Sequence, residues 1–217
     1  MEMERCIQNK TIYLLGDSTL RQWFSIDLQK RFNCSISTEA WTNDKWHKPT
    51  ECTNRISNLT IVWYPHSQPF FVGDGFDKIK YTLKSIARYI DDIEGNENAI
   101  VVVHVFCHNI PFHPNVFRIK IQTIRDAVKR LLTRNPIAKV LIKGPHSFKN
   151  SPPNPRWNDM FGLVYANILY EEFIELHDKV YYLNNRDATD AQQTEYNHPE
   201  EYIVWAMVSQ MLTFACS

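Results

Sequence analysis

The stretch TIYLLGDSTLRQWF, residues 11–24, predicts how this chain begins to fold. An apolar run ends at Gly16, Asp17 and Ser18, and apolar residues then recur at helical spacing. This order predicts a strand, a tight turn and a helix. The polar turn has two interpretations. Its short side chains can simply cap the helix, or Ser18 can be a nucleophile held at the carboxyl end of a strand.

The rest of the chain repeats this alternation of short apolar strands and amphipathic helices. The alternation favours a three-layer α/β/α sandwich with a mostly parallel five-stranded sheet, formed by one domain over residues 1–217. Polar loops are predicted between several of these elements. The predicted strands are 11–15, 60–64, 100–106, 139–142 and 180–183; the predicted helices are 18–32, 76–93, 115–132, 159–176 and 199–214; the predicted loops include 33–58 and 184–197.

Composition excludes several classes of partner. The formal net charge of the 217 residues is zero, which argues against a nucleic-acid partner. No apolar run is long enough to span a bilayer. The sequence has neither a glycine-rich nucleotide loop nor a Cys-x-x-Cys pair, and we expect no bound cofactor and no metal.

Two features of the sequence indicate the secretory pathway, either the Golgi lumen or the extracellular space. Three Asn-x-Ser/Thr sequons begin at Asn9, Asn33 and Asn58, and there are five cysteines. The first ten residues, MEMERCIQNK, lack the apolar region of a signal peptide. We therefore expect the chain to be the C-terminal piece of a longer protein.

The positions of the cysteines predict two disulfide bridges. Cys34 and Cys52 bracket a polar loop, and Cys6 and Cys216 lie at opposite ends of the chain. Cys107 ends an apolar strand, where a small buried thiol is the simplest interpretation.

Polar side chains follow each predicted strand. In a parallel α/β sheet, ligands bind at the carboxyl ends of the strands, so these side chains share one edge. They are Ser18, His66, His108, Asn109, His146, Asp187, Asp190, Glu195 and His198. A serine becomes a nucleophile when a neutral histidine takes its proton, and a carboxylate orients that histidine. His66, His104 and His146 are interpreted as structural.

The motif GDSTLRQW, with the later RDAT and YNHPEEYIVWAMVSQMLTFAC, resembles the neurexophilin and PC-esterase (NXPE) family in its C-terminal esterase-like domain. The wider PC-esterase group resembles SGNH-type hydrolases. The resemblance implies Ser18 as nucleophile, His198 as base and Asp187 as the orienting carboxylate. Glu195 is the second choice, because the wider group places its carboxylate three residues before the histidine.

The resemblance also implies a group of residues that stabilise the oxyanion or bind substrate. Arg21 matches an arginine with this role in plant relatives, although it can equally be a surface residue. His108 matches a family histidine, and Asn109 lies where SGNH-type enzymes place an asparagine.

The implied activity is serine-dependent transfer or hydrolysis of acyl groups, above all acetyl groups, on glycan hydroxyls. The substrate would be a glycan or glycoprotein, and a transferase would use an acyl donor such as acetyl-CoA. The alternative is a catalytically inactive, secreted binding or signalling module, since neurexophilin-type relatives are ligands.

Overall fold

A single sheet organises the computed structural model, which describes residues 2–36, 49–66, 83–149 and 158–217. Within these residues the sheet has seven strands in the order β2-β3-β4-β1-β5-β6-β7. Strands β4, β1, β5, β6 and β7 are parallel, whereas β2 and β3 continue the sheet in antiparallel pairing. The strands are β1 (Thr11–Gly16), β2 (Ser35–Ile36), β3 (Thr50–Asn54), β4 (Leu59–Pro65), β5 (Ala99–Val103), β6 (Lys139–Lys143) and β7 (Val180–Leu183).

The five-stranded prediction is corrected at one edge of the sheet. All five predicted strands form the parallel part, but the predicted loop 33–58 contributes β2 and β3. Along β3, Thr50 and Cys52 are buried while Glu51 is exposed. Such a polar, one-sided strand carries no continuous apolar run, which is why the sequence pattern missed it.

Helices cover both faces of the sheet, so the three-layer prediction is confirmed. A π-helical stretch, Trp23–Leu28, joins α2 to α3, and α7 lies within the predicted loop 184–197. The predicted helix 76–93 is described only from residue 83, and residues 76–82 lie outside the described part. The helices are α1 (Glu2–Cys6), α2 (Ser18–Gln22), α3 (Gln29–Arg31), α4 (Ile86–Asp91), α5 (Pro114–Arg134), α6 (Gly162–Phe173), α7 (Arg186–Ala191) and α8 (Glu201–Ala215).

Alternation along the central strands divides the core into two layers. In β5, Val101 and Val103 pack with α4, α5 and α6, whereas Ile100 and Val102 pack with α8 and the helix that starts at Ser18. Successive strand side chains point to opposite faces, so a run that is apolar throughout needs cover on both sides. Because helices cover both faces of the sheet, polar groups collect at the ends of the strands.

Two disulfide bridges join the cysteine pairs that the sequence predicted. Cys6 and Cys216 connect α1 to the end of α8, with 5.7 Å between their Cα atoms. Cys34 and Cys52 connect the β2–β3 edge, with 5.4 Å between their Cα atoms. Cys107 is a buried free thiol.

Candidate active site

The turn between β1 and α2 is built by close backbone packing. A side chain at Gly16 would overlap the backbone carbonyl of His104, so only glycine fits there. Asp17 caps α2: its Oδ1 accepts hydrogen bonds from the backbone N–H and the hydroxyl of Thr19, at 2.9 and 2.7 Å. Asp17 therefore does the capping, and Ser18 is left as the first residue of the helix with its hydroxyl available.

Ser18 and His198 meet at the carboxyl edge of the sheet. The Ser18 Oγ lies 2.7 Å from the Nε2 of His198, although 180 residues separate them. His198 lies just before α8, and the Gln22 side chain of the Ser18 helix donates to the carbonyl of Pro199 at 3.2 Å. With its proton on Nδ1, the imidazole can accept the serine proton through Nε2.

The surroundings of His198 favour its neutral form. Burial lowers the pKa of the imidazole, and the positive charges of Arg21 and His108 lower it further. The carboxylate of Asp17 acts in the opposite direction. The net effect holds the pKa below its ordinary value of 6.5, so the ring is neutral at pH 7 and able to act as a base.

Neither proposed carboxylate forms a hydrogen bond or an ion pair with His198 within the described residues. Asp187 lies in α7, and its Oδ2 accepts a hydrogen bond of 2.9 Å from Asn184. Glu195 is exposed, and its backbone carbonyl accepts from the N–H of Lys149. In this part of the chain the His198 ring has one hydrogen-bond partner, Ser18.

The structure places the other predicted residues around the same edge. The guanidinium of Arg21 lies 5.8 Å from the centre of the Trp63 ring, and burial lowers its pKa. The Nδ1 of His108 is 2.9 Å from the Nε2 of His66. Asn109 is buried, and among the described residues its side-chain Nδ2 has no hydrogen-bond partner, while its Oδ1 accepts from Lys120 at 3.4 Å. Buried amides without a partner are uncommon in native structures.

Sequence reasoning missed a buried polar cluster beneath this edge, formed by Asp17, His104, Lys143 and His146. All four side chains are buried. Burial raises the pKa of the Asp17 carboxyl, but electrostatic interactions with His104, His108 and Lys143 outweigh burial and hold the pKa well below its ordinary range. A lysine at the end of the apolar strand KVLIK is the signal that could have indicated the cluster.

The described residues contain neither a metal-ligand group nor a membrane-spanning helix. No group of three or more His, Cys, Asp or Glu side chains in these ranges could hold a metal ion. Among the same residues, every helix is too short or too polar to cross a membrane.

Solved structures with the same fold include proteins described as acylhydrolases and esterases. A candidate acylhydrolase from Bacteroides fragilis NCTC 9343 matches with a TM-score of 0.55 at 13% identity, covering 96% of this chain and 88% of that chain. A single-substitution variant of Axe2, an acetyl xylan esterase from Geobacillus stearothermophilus, matches with a TM-score of 0.53 at 12% identity, covering 97% of each chain. At these identities the similarity establishes the fold alone.

The family follows from the sequence as a whole. The family model for the NXPE family member 4-like, C-terminal domain matches residues 1–216. The chain therefore belongs to the NXPE family.

Proposed function

We propose that this chain is a serine-dependent acyltransferase or esterase that acts on glycan hydroxyls or their O-acetyl groups. The observation that carries the proposal is the 2.7 Å contact between the Ser18 Oγ and the His198 Nε2 at the carboxyl edge of the sheet. A nucleophile and a base within hydrogen-bond reach, with the base neutral at pH 7, are the two groups that acyl transfer requires.

The first half-reaction forms an acyl-enzyme. The Ser18 Oγ bonds to the acyl carbonyl carbon while the Nε2 of His198 takes the hydroxyl proton, giving a tetrahedral oxyanion and an imidazolium. When the carbonyl re-forms, the bond to the leaving oxygen or sulfur breaks, and that atom takes the proton from His198. The products are an acyl ester on Ser18, a free alcohol or thiol, and a neutral imidazole.

The second half-reaction distinguishes an esterase from a transferase. Water or a sugar hydroxyl attacks the acyl carbon, and His198 again takes its proton. The Ser18 oxygen then leaves and recovers this proton. Water yields a free carboxylic acid, whereas a sugar hydroxyl yields an O-acylated glycan. A transferase would draw the acyl group from a donor such as acetyl-CoA.

Three groups are proposed to stabilise the oxyanion or bind the substrate. The N-terminus of the helix that begins at Ser18 offers backbone N–H groups and the positive end of a helix dipole. Arg21 lies one turn along the same helix. His108 and Asn109 lie after β5, and the Nδ2 of Asn109, which has no partner among the described residues, is a further proposed donor.

Asp187 remains the proposed carboxylate of the triad, with Glu195 as the second choice. The described contact of Asp187 is with Asn184, so the proposal requires Asp187 to approach His198 when substrate binds. Catalytic hydrogen bonds of unliganded enzymes often tighten only in the substrate complex.

The glycan substrate rests on the family and on a structural relative. Axe2, which shares this fold, is an acetyl xylan esterase, and acetyl xylan is an O-acetylated glycan. The two disulfide bridges are consistent with a secretory compartment, where glycoproteins are found. The sequon residues Asn9, Asn33 and Asn58 are all exposed.

Covalent labelling with a fluorophosphonate tests the nucleophile. We expect the folded protein to be labelled on Ser18, the Ser18→Ala variant to be unlabelled, and the control Ser209→Ala, on α8, to be labelled normally. Release of acetate from acetylated oligosaccharides, or acetyl transfer to them, then assigns the reaction. A folded protein that is not labelled by the fluorophosphonate and does not hydrolyse aryl acetates would contradict the proposal.

A second candidate function is an inactive binding or signalling module that retains this fold. One observation favours it: within the described residues, no carboxylate orients His198. The same labelling experiment separates the two functions.

A further inference from the structure

Lys143 is a buried cation placed between the segments that carry Ser18 and His198. Its side chain is 1% exposed and lies at the carboxyl end of β6. Its Nζ is 3.2 Å from the Nε2 of His104 and 3.5 Å from the Nδ1 of His146. It also lies 5.7 Å from the centre of the Trp23 ring, on the helix that Ser18 begins. A charge so fully buried is costly unless it is paired and hydrogen-bonded.

The protonation of both histidines is fixed by backbone carbonyls. The Nδ1 of His104 donates to the carbonyl of Lys143 at 2.9 Å, and the Nε2 of His146 donates to the carbonyl of Asn197 at 2.9 Å. A carbonyl can only accept, so each of these nitrogens carries the proton. The other nitrogen of each neutral ring is then free to accept from the ammonium of Lys143.

One arm of this arrangement reaches Ser18. The Nε2 of His104 lies 3.6 Å from the Oδ2 of Asp17, too far for a hydrogen bond. Burial, followed by the charge of Lys143, lowers the pKa of His104 to about 4, so Lys143 is the cation that offsets the charge of Asp17 at neutral pH. Asp17 in turn accepts from Thr19 and from the N–H of Cys107, on either side of the site.

The other arm reaches His198. His146 is wholly buried, and its bond to the carbonyl of Asn197 ends one residue before His198. The chain of contacts, which we call the relay, therefore runs from Asp17 through His104, Lys143 and His146 to Asn197. It joins four segments at the carboxyl edge of the sheet.

We infer that Lys143 is a positioning residue, which holds the Ser18 turn and the His198 segment in register through His104 and His146. This inference rests on the proposed function. Lys143 does not touch Ser18 or His198, and it acts by orienting the groups that precede them.

The groups that face Lys143 define its pH dependence. They are Asp17 from the β1 turn, His104 and Cys107 from the segment after β5, and His146 from the segment after β6. Burial lowers the pKa of Lys143 to about 8, against the opposing effects of Asp17 and Cys107. The positive charge that offsets Asp17 is therefore lost as the pH rises through about 8.

The test compares rates of Ser18 labelling by a fluorophosphonate across pH. For the native chain we expect a decline centred near pH 8, where Lys143 loses its charge. Ser18 in Lys143→Met should be labelled about 100-fold more slowly at the optimal pH, because small misplacements of reacting groups are costly. The variant should also lack the decline, because the titrating lysine is gone. The control Lys129→Met removes a surface lysine paired with Glu175 and should behave as the native chain. A folded Lys143→Met protein with native rate and profile would overturn the inference.

A second pair of variants applies if Lys143→Met fails to fold. In His146→Gln the amide nitrogen can still donate to the carbonyl of Asn197, whereas His146→Leu cannot. We expect His146→Gln to label within a few-fold of the native rate and His146→Leu to be slow. Equal rates for the two folded variants would contradict the relay.

The pKa of His198, followed by NMR, separates this inference from the proposed function. In Lys143→Met or His146→Leu we expect the pKa to move toward about 6.5, its ordinary value, as the ring leaves its position beside Ser18. Lys129→Met should leave the pKa unchanged. If the fluorophosphonate never labels the native chain, the proposed function fails, and the His198 pKa alone tests the relay. An unchanged His198 pKa in Lys143→Met and His146→Leu would then refute the relay.

Discussion

The Ser18 Oγ and the His198 Nε2 are 2.7 Å apart because two separate ends of the chain converge on one edge of the sheet. Ser18 follows the central strand β1, and His198 precedes α8. Helix α8 packs against the same face of the sheet as the Ser18 helix. The contact is therefore set by the topology of the fold.

The acid limb of Ser18 reactivity should lie below pH 6.5. Burial and the charges of Arg21 and His108 lower the pKa of His198, and only the neutral ring accepts a proton. Labelling should therefore fall as the pH decreases through a midpoint below 6.5. Arg21→Met removes one of the charges that lower the pKa, so its midpoint should move to higher pH. The control Arg130→Met, at an exposed pair with Asp91, should keep the native midpoint; an Arg21→Met midpoint that stays in place or falls would contradict this account.

The third member of the site can be assigned with a pair of carboxamide variants. If Asp187 orients His198 during turnover, Asp187→Asn should reduce turnover by as much as about 10⁴-fold, because the ring loses its correct tautomer. Glu195→Gln is the matched control and should retain most of the activity. A loss confined to Glu195→Gln would assign the role to Glu195 instead. Full activity in both would reduce the site to the Ser18–His198 dyad.

Asp17 should make the fold sensitive to acid. Its folded pKa is well below the unfolded value of about 3.9, so its contribution to stability is complete above that pH and is lost as the pH falls below it. Asp17→Asn should lower the free energy of unfolding at pH 7 by about 3–5 kcal/mol, because Lys143 is left uncompensated. Urea unfolding at pH 3 and pH 7 should then differ less in Asp17→Asn than in the native chain. The control Asp126→Asn, at an exposed site, should keep the native difference.

The two disulfide bridges should differ in their effect on stability. Cys6–Cys216 spans 210 residues and Cys34–Cys52 spans 18. In the chain-entropy model these loops correspond to about 5 and about 3 kcal/mol, respectively. Replacing Cys6 and Cys216 with serine should therefore lower the free energy of unfolding more than the same change at Cys34 and Cys52. Denaturant unfolding measures both, and the reverse order would show that native-state effects outweigh loop length.

The sequence predicted the parallel part of the fold because each of its strands is an apolar run. It missed β3, whose outward Glu51 and inward Cys52 give the strand only one apolar face. It also missed α7, since a six-residue helix is too short for a periodic pattern to emerge.

The candidate site was predicted in part for a similar reason. Ser18 and His198 belong to recognisable motifs, and the rule that ligands bind at strand ends placed both at one edge. His104 and His146 were interpreted as structural, and Lys143 was overlooked. Their significance depends on burial and on contacts between different strands, which local sequence patterns do not encode.

The bridge between Cys6 and Cys216 changes how the domain would respond to mechanical force. With these two residues held 5.7 Å apart between their Cα atoms, tension applied between Met3 and Ser217 passes through the sulfur–sulfur bond. The strands and the Ser18–His198 contact inside the bridge would carry almost no load. In a single-molecule pulling experiment, the oxidised chain would extend only by the few residues outside the bridge, and the full domain would unravel only after reduction.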